Sequence, residues 1–157
     1  MPSLDDIYRK FGEAAEAAQL LETELGTRLL VVRSTAEGLF TASDAERAAD
    51  VHDSVNRHTL GQLLKGLKVD TESIERLDLL FADALRERNR LFHSFYRHHN
   101  FRRNSDEGRA IMLRDLEAIH DTLLCAYKAV MLLSGVDLDA RVEAKPEVKH
   151  PTGHVPI

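Results

Sequence analysis

The chain has 157 residues, enough for one domain with a real hydrophobic core, and its 43% hydrophobic and 30% charged content is that of an ordinary globular protein. A net charge of -5 speaks against a protein that coats nucleic acid through a general basic excess, while leaving room for a local basic site. No apolar run approaches the roughly 20 residues that cross a bilayer, so no membrane partner is expected.

Taken in order, Ser3 is a good N-cap, with Asp5 and Asp6 in the first turn where the helix dipole favours negative charge. Apolar side chains then alternate in steps of three and four through Leu4, Ile7, Phe11, Ala14, Ala18, Leu21 and Leu25, the seam of a long packed helix. The seam continues through Leu29 and Val32 despite Gly26, and residues 34–42 read as a connection. Ser43-Asp44-Ala45-Glu46 is a capping-box sequence for a second helix, whose inner side is read as Ala45, Ala48, His52 and Val55. On that side His52 reads as a satisfied, partly buried histidine. Leu60, Leu63, Leu64 and Leu67 form a denser apolar group, and Gly61 and Gly66 suggest that this region is two helical pieces.

Asp70 and Thr71 cap a third helix with Ile74, Leu77, Phe81, Ala84, Leu91 and Phe95 on its seam, ending between Phe95 and His99. Residues 97–104 are polar and basic without helical periodicity and read as a loop. Ser105 or Asp106 opens a fourth helix with Met112, Leu116, Ile119, Leu123, Ala126, Val130 and Leu133 at three-four spacing, and Gly135 supplies its stop. Cys125, beside that seam, reads as a small packed residue. A single cysteine and the lack of a signal peptide fit a reducing cytoplasm. From Arg141 onward come Pro146, Pro151 and Pro156 and few apolar anchors. The expectation is therefore an all-α, antiparallel, four- to five-helix up-and-down bundle over residues 1–140, followed by a flexible tail over 141–157.

One position breaks the pattern. The third-helix seam has Arg88 where an apolar residue belongs, and a cation there is costly unless a partner or an anionic ligand compensates its desolvation. No acidic partner is obvious from the sequence. Asn89 and His93 lie four apart on the same helix, so they share a face beside that arginine. Between positions 86 and 103 stand six arginines and three histidines against one acid, Glu87, a concentrated positive region whose guanidinium forks suit phosphate oxygens. The plain alternative is a solvated helix end followed by a basic loop, favoured by the helix dipole.

Arg88-Asn89-Arg90-Leu91-Phe92-His93 resembles the signature of the HEPN superfamily, an arginine, a polar residue and then a histidine after a short gap near the end of a bundle helix. The resemblance implies a metal-independent ribonuclease, often a toxin or antiviral effector, whose homodimer brings two motifs into one cleft. It implies RNA as substrate, no cofactor, and an antitoxin protein as a further partner. His93 would act as general acid or base at the ribose 2′-hydroxyl or the leaving oxygen, a task for which imidazole chemistry is suited. Arg88 would hold the scissile phosphate, and Asn89 would orient His93 or bond the phosphate. Arg97, Arg102 and Arg103 would guide the RNA backbone, while Tyr96, His98 and His99 would stack on unpaired bases. The chain departs from one toxin subgroup, which has tyrosine two residues after the histidine where Phe95 stands here.

Three other readings stay open at this point. A metal could sit among His93, His98, His99 and His120, but there is no cysteine pair or His-Glu-x-x-His spacing, and nearby arginines repel a dication, so none is expected. A non-catalytic bundle could bind RNA, a nucleotide or a protein through the basic patch. A structural dimer could pair Arg88 with an acid across its interface.

Overall fold

The computed structural model describes residues 1–39, 44–59, 61–63 and 75–143, and among these there is no strand. The helices are α1 (Leu4–Ala36), α2 (Ala45–Asn56), α3 (Glu75–His93), α4 (Phe95–His99), α5 (Asp106–Leu133) and α6 (Leu138–Glu143), with a 3-10 turn over Asn100–Asn104. The chain is an all-α bundle.

Helix α1 carries on for 33 residues because its seam never lapses, and at 1.5 Å per residue it is about 50 Å long. It opens on a reciprocal cap: the Ser3 hydroxyl accepts from the Asp6 N–H at 3.1 Å, and the Asp6 carboxylate accepts from the Ser3 N–H at 2.8 Å. Ile7, Ala14, Ala18, Leu21, Leu25 and Leu29 are buried against Met112, Leu116, Ile119, Leu123, Ala126 and Val130 of α5, while α3 adds Ala84 and Leu91 and α4 adds Phe95. Each large aliphatic side chain removed from water there stabilises the fold by about 1.5–3 kcal/mol.

Cross-contacts give the helix directions. The Lys10 ammonium meets His120 and the Ser134 hydroxyl meets Glu24, so α1 and α5 run parallel. Arg88 reaches Glu22 while Phe95 and Tyr96 pack on Phe11, so α3 and its extension run antiparallel to α1. Arg47 bonds Glu37 at 2.8 Å and Arg33 bonds Ser54 at 2.9 Å, which lays α2 back along α1. A strict four-helix alternation would oppose the first and last long helices, whereas here α1 and α5 run parallel.

Local departures from the expected pattern have physical causes. Helix α1 runs to Ala36, three residues into the expected connection. The buried side of α2 is Val51 and Val55, and His52 is exposed, as are Ala45 and Ala48. Cys125 is also exposed, because the α5 seam passes through Leu123 and Ala126 and leaves it on the outer side. The segment read as a loop is helical to His99 and then 3-10, since the Ser94 N–H still bonds Arg90 and the His98 N–H still bonds Ser94. Helix α6 crosses the expected boundary at 140. The assigned roles of Ser43, Leu60, Leu64, Gly66, Leu67, Asp70, Thr71 and Ile74, and the tail over 144–157, lie outside the described residues.

Candidate functional site

Arg88 sits on the seam as its spacing dictates, yet it does have an acidic partner. Its Nε donates to Glu22 on α1 at 2.8 Å, the two side chains being 23% and 29% exposed. Its Nη1 donates to the Asn89 carboxamide at 3.3 Å, and the guanidinium carbon lies 5.1 Å from the Phe92 ring centroid. The desolvation that looked uncompensated is thus met by a carboxylate, an amide and an aromatic face. The acid belongs to the same chain, 66 residues away, so no dimer is needed to supply it. Asn89 and His93 are exposed on α3, and the His93 ring makes no hydrogen bond or ion pair among the described residues.

Much of the basic region is neutralised, by its own Glu87 and by acids from outside it. Arg86 pairs with Asp83 and Glu87. Arg90 holds Glu87 through Nε and places Nη1 2.6 Å from Asp115 Oδ2 on α5. The same Oδ2 lies 2.8 Å from His99 Nε2, and Arg102 Nη1 lies 3.2 Å from His99 Nδ1. A guanidinium nitrogen only donates, so Nδ1 accepts, and Nε2 then carries the proton given to Asp115. Burial pushes the Asp115 carboxyl upward, but the hydrogen bonds from Arg90 and then His99 outweigh it and hold the group below the ordinary carboxylate range. The bond to Asp115, helped by Glu87, holds Arg90 above the usual guanidinium value against the opposing effect of burial.

His99 is therefore corrected from a base-stacking residue to an interior one. It is 2% exposed, with its ring packed 4.5 Å from that of Phe95, and no nucleobase can reach it there. Arg102, tied to His99, holds the turn in place. Arg97 and Arg103 are exposed and make no ion pair among the described residues, and His98 and Tyr96 are exposed. Burial first, and then Tyr8, raises the Tyr96 hydroxyl, with Arg103 opposing.

Three residues that the sequence reading passed over, Asn100, Phe101 and Asn104, join Tyr96 and Arg103 around a cleft of about 440 Å³. Asn100 has φ 48° and ψ -118°, close to the first central position of a type II′ turn, where glycine is usual. Among the described residues, no group of three His, Cys, Asp or Glu side chains is placed to hold a metal ion. No helix there is long and apolar enough to cross a membrane. No family model, curated protein or solved structure matches the chain.

Proposed function

We propose that this protein is a metal-independent endoribonuclease of the HEPN type, acting as a homodimer in the manner of a toxin or antiviral effector. The observation that supports the reading is the arrangement at the end of α3: Asn89 and His93 exposed on the helix, with Arg88 next to them and fixed from behind by Glu22. Glu22 occupies the Nε edge of the guanidinium and Asn89 the Nη1 position, while Nη2 makes no hydrogen bond among the described residues. That free edge is the one offered to a scissile phosphate, where a fixed cation stabilises the charge developing on phosphorus oxygens. His93 would take the 2′-hydroxyl proton as that oxygen attacks phosphorus. The imidazole of the second copy would return a proton to the departing 5′-oxygen, leaving a cyclic phosphate and a free hydroxyl.

Cleavage of single-stranded RNA in EDTA, compared between wild type and His93→Ala, tests the reading. Cleavage by wild type, lost in the variant, is expected; equal activity in both, or none in either across varied RNAs, rules out catalysis by this site.

A second reading follows from the pairing of Arg86, Arg88, Arg90 and Arg102 to groups within the chain. In that reading the bundle binds RNA without cutting it, through Arg97 and Arg103. It requires binding lost on charge reversal of those two arginines and no product formed.

A further inference from the structure

We infer that the cleft formed by Tyr96, Asn100, Phe101, Arg103 and Asn104 binds one nucleotide, its base against the Phe101 ring and its phosphate on Arg103. The inference rests on the RNA reading above for its polymer, and concerns a binding site beyond the Arg88–Asn89–His93 centre.

Four observations carry it. Phe101 is 75% exposed, on a turn otherwise made of polar residues, and Tyr96 at 40% exposure stands on the wall of the same cleft. A phenylalanine left this exposed forgoes most of the gain from burial, which an aromatic stacking partner from outside would recover. The volume of about 440 Å³ lies within the range of small-molecule sites. The remaining lining groups are two carboxamides and a guanidinium. Carboxamides present a donor and an acceptor together, as base edges do, and a guanidinium matches phosphate oxygens.

The turn is also held rather than left loose. Arg102 bonds His99, the Arg103 carbonyl accepts from Arg109 at 3.2 Å, and Arg109 Nε in turn donates to the Pro2 carbonyl at 2.7 Å. Gly108 at the start of α5 lets the Arg102 backbone press in so closely that a Cβ there would come within 2.1 Å of its carbonyl oxygen. Asn100, with its positive φ, carries backbone strain that these ties sustain. A rigid turn presents its aromatic ring and amides already oriented, so little ordering entropy is lost when a ligand arrives.

Free nucleotide and nucleotide within single-stranded RNA share this chemistry, and the test separates them. Fluorescence anisotropy of a labelled ten-nucleotide single-stranded RNA of mixed sequence is titrated in EDTA with wild type, Phe101→Ala, Phe101→Trp and Arg103→Gln. Unlabelled AMP, GMP, CMP and UMP serve as competitors. Stacking of one base predicts a loss of about tenfold for Phe101→Ala and near wild-type affinity for Phe101→Trp. Competition by a mononucleotide that disappears in Phe101→Ala assigns the cleft to a free nucleotide; RNA binding without competition assigns it to the polymer. Unchanged RNA affinity and mononucleotide competition in both Phe101→Ala and Arg103→Gln overturn the inference, as does absence of any binding by wild type. Helical circular dichroism of each variant accompanies the titration, and Phe101, being exposed, is expected to leave it unaltered. Binding that depends on Phe101 without any RNA cleavage keeps the cleft and removes the nuclease. Cleavage that depends on His93 with the same KM in Phe101→Ala does the reverse.

Discussion

Two carboxylate contacts, Glu22 with Arg88 and Asp115 with His99, have the same length of 2.8 Å and differ in what they contribute. Arg88 and Glu22 are each about a quarter exposed, so water still screens them. Glu22→Gln is expected to cost no more than about 1 kcal/mol in a urea titration. His99 is 2% exposed and bonded at both ring nitrogens, so His99→Ala removes a packed ring and leaves Asp115 with one donor fewer. That change is expected to cost about 2–4 kcal/mol by the same titration; a loss under 1 kcal/mol would mean that the ring contributes no packing. Asn100 offers a test of opposite signs. Asn100→Gly releases left-handed strain, so the midpoint of urea unfolding should rise by the equivalent of about 0.5–1 kcal/mol, while RNA affinity falls with the carboxamide gone. At this scale the sequence was half legible. That Arg88 breaks an apolar stripe is a matter of spacing, visible in any single helix. That Glu22 answers it is not, because Glu22 lies on another helix and looks like any surface acid. His99 failed for a related reason: Phe95, one turn back, packs on its ring, but the acid that holds it, Asp115, comes from another helix, and its immediate neighbours His98 and Asn100 are polar.

Helices were legible because each one repeats its own period. The α1 and α5 seams recur every three or four residues over long stretches, and the residues chosen from that spacing are, with Leu133 as an exception at 50% exposure, buried or partly buried. Short pieces were not legible, since five residues contain too few turns to show a period, and α4 with its 3-10 turn was read as loop. Two glycines test the packing of the long helices. Gly12 on α1 has open space where a Cβ would go, so Gly12→Ala should stabilise the protein by about 0.5–1 kcal/mol through helix propensity alone. Gly108→Ala would gain the same propensity, but its Cβ meets main chain of Arg102, which no rotamer change relieves. A net loss of about 1–3 kcal/mol is expected from chemical denaturation, and a gain would show that the turn can retreat from α5. The cap of α1 gives a pH signature. Hydrogen bonds from the Ser3 backbone and hydroxyl, and then from Arg9, hold Asp6 down to about 2 from 3.8. A depressed carboxyl stabilises the fold above its unfolded value and stops doing so as pH falls through its folded one. The contribution of Asp6 should therefore fade between pH 3.8 and about 2. Fraying at the α1 N-terminus, followed by amide exchange, should track that window in wild type and be present at all pH in Asp6→Ala.

For the whole molecule, the question is how much of the basic region faces a ligand, and salt dependence answers it in counts of phosphates. Between positions 86 and 103 the chain has six arginines, against a net charge of -5 overall. Four of them, Arg86, Arg88, Arg90 and Arg102, are engaged with Glu22, Asp83, Glu87, Asp115 and His99, which among the described residues leaves Arg97 and Arg103 at the end of the bundle where α1 and α5 begin. For a single strand the slope of log affinity against log salt is about -0.7 for each phosphate neutralised. Two arginines from one chain thus predict a slope of roughly -1.4, and a strand lying across both copies of a dimer predicts roughly -2.8. All six arginines of one chain would give roughly -4, which requires the intrachain pairs to open on binding. Light scattering on the free protein fixes the number of copies independently. A dimer with at least the intermediate slope, reduced by Arg97→Glu with Arg103→Glu to the remainder that Arg88 supplies at the scissile phosphate, is the outcome that the proposed composite site demands. A monomer at micromolar concentration with the shallow slope would leave RNA held by one chain at a time, and the two His93 imidazoles with no means of meeting.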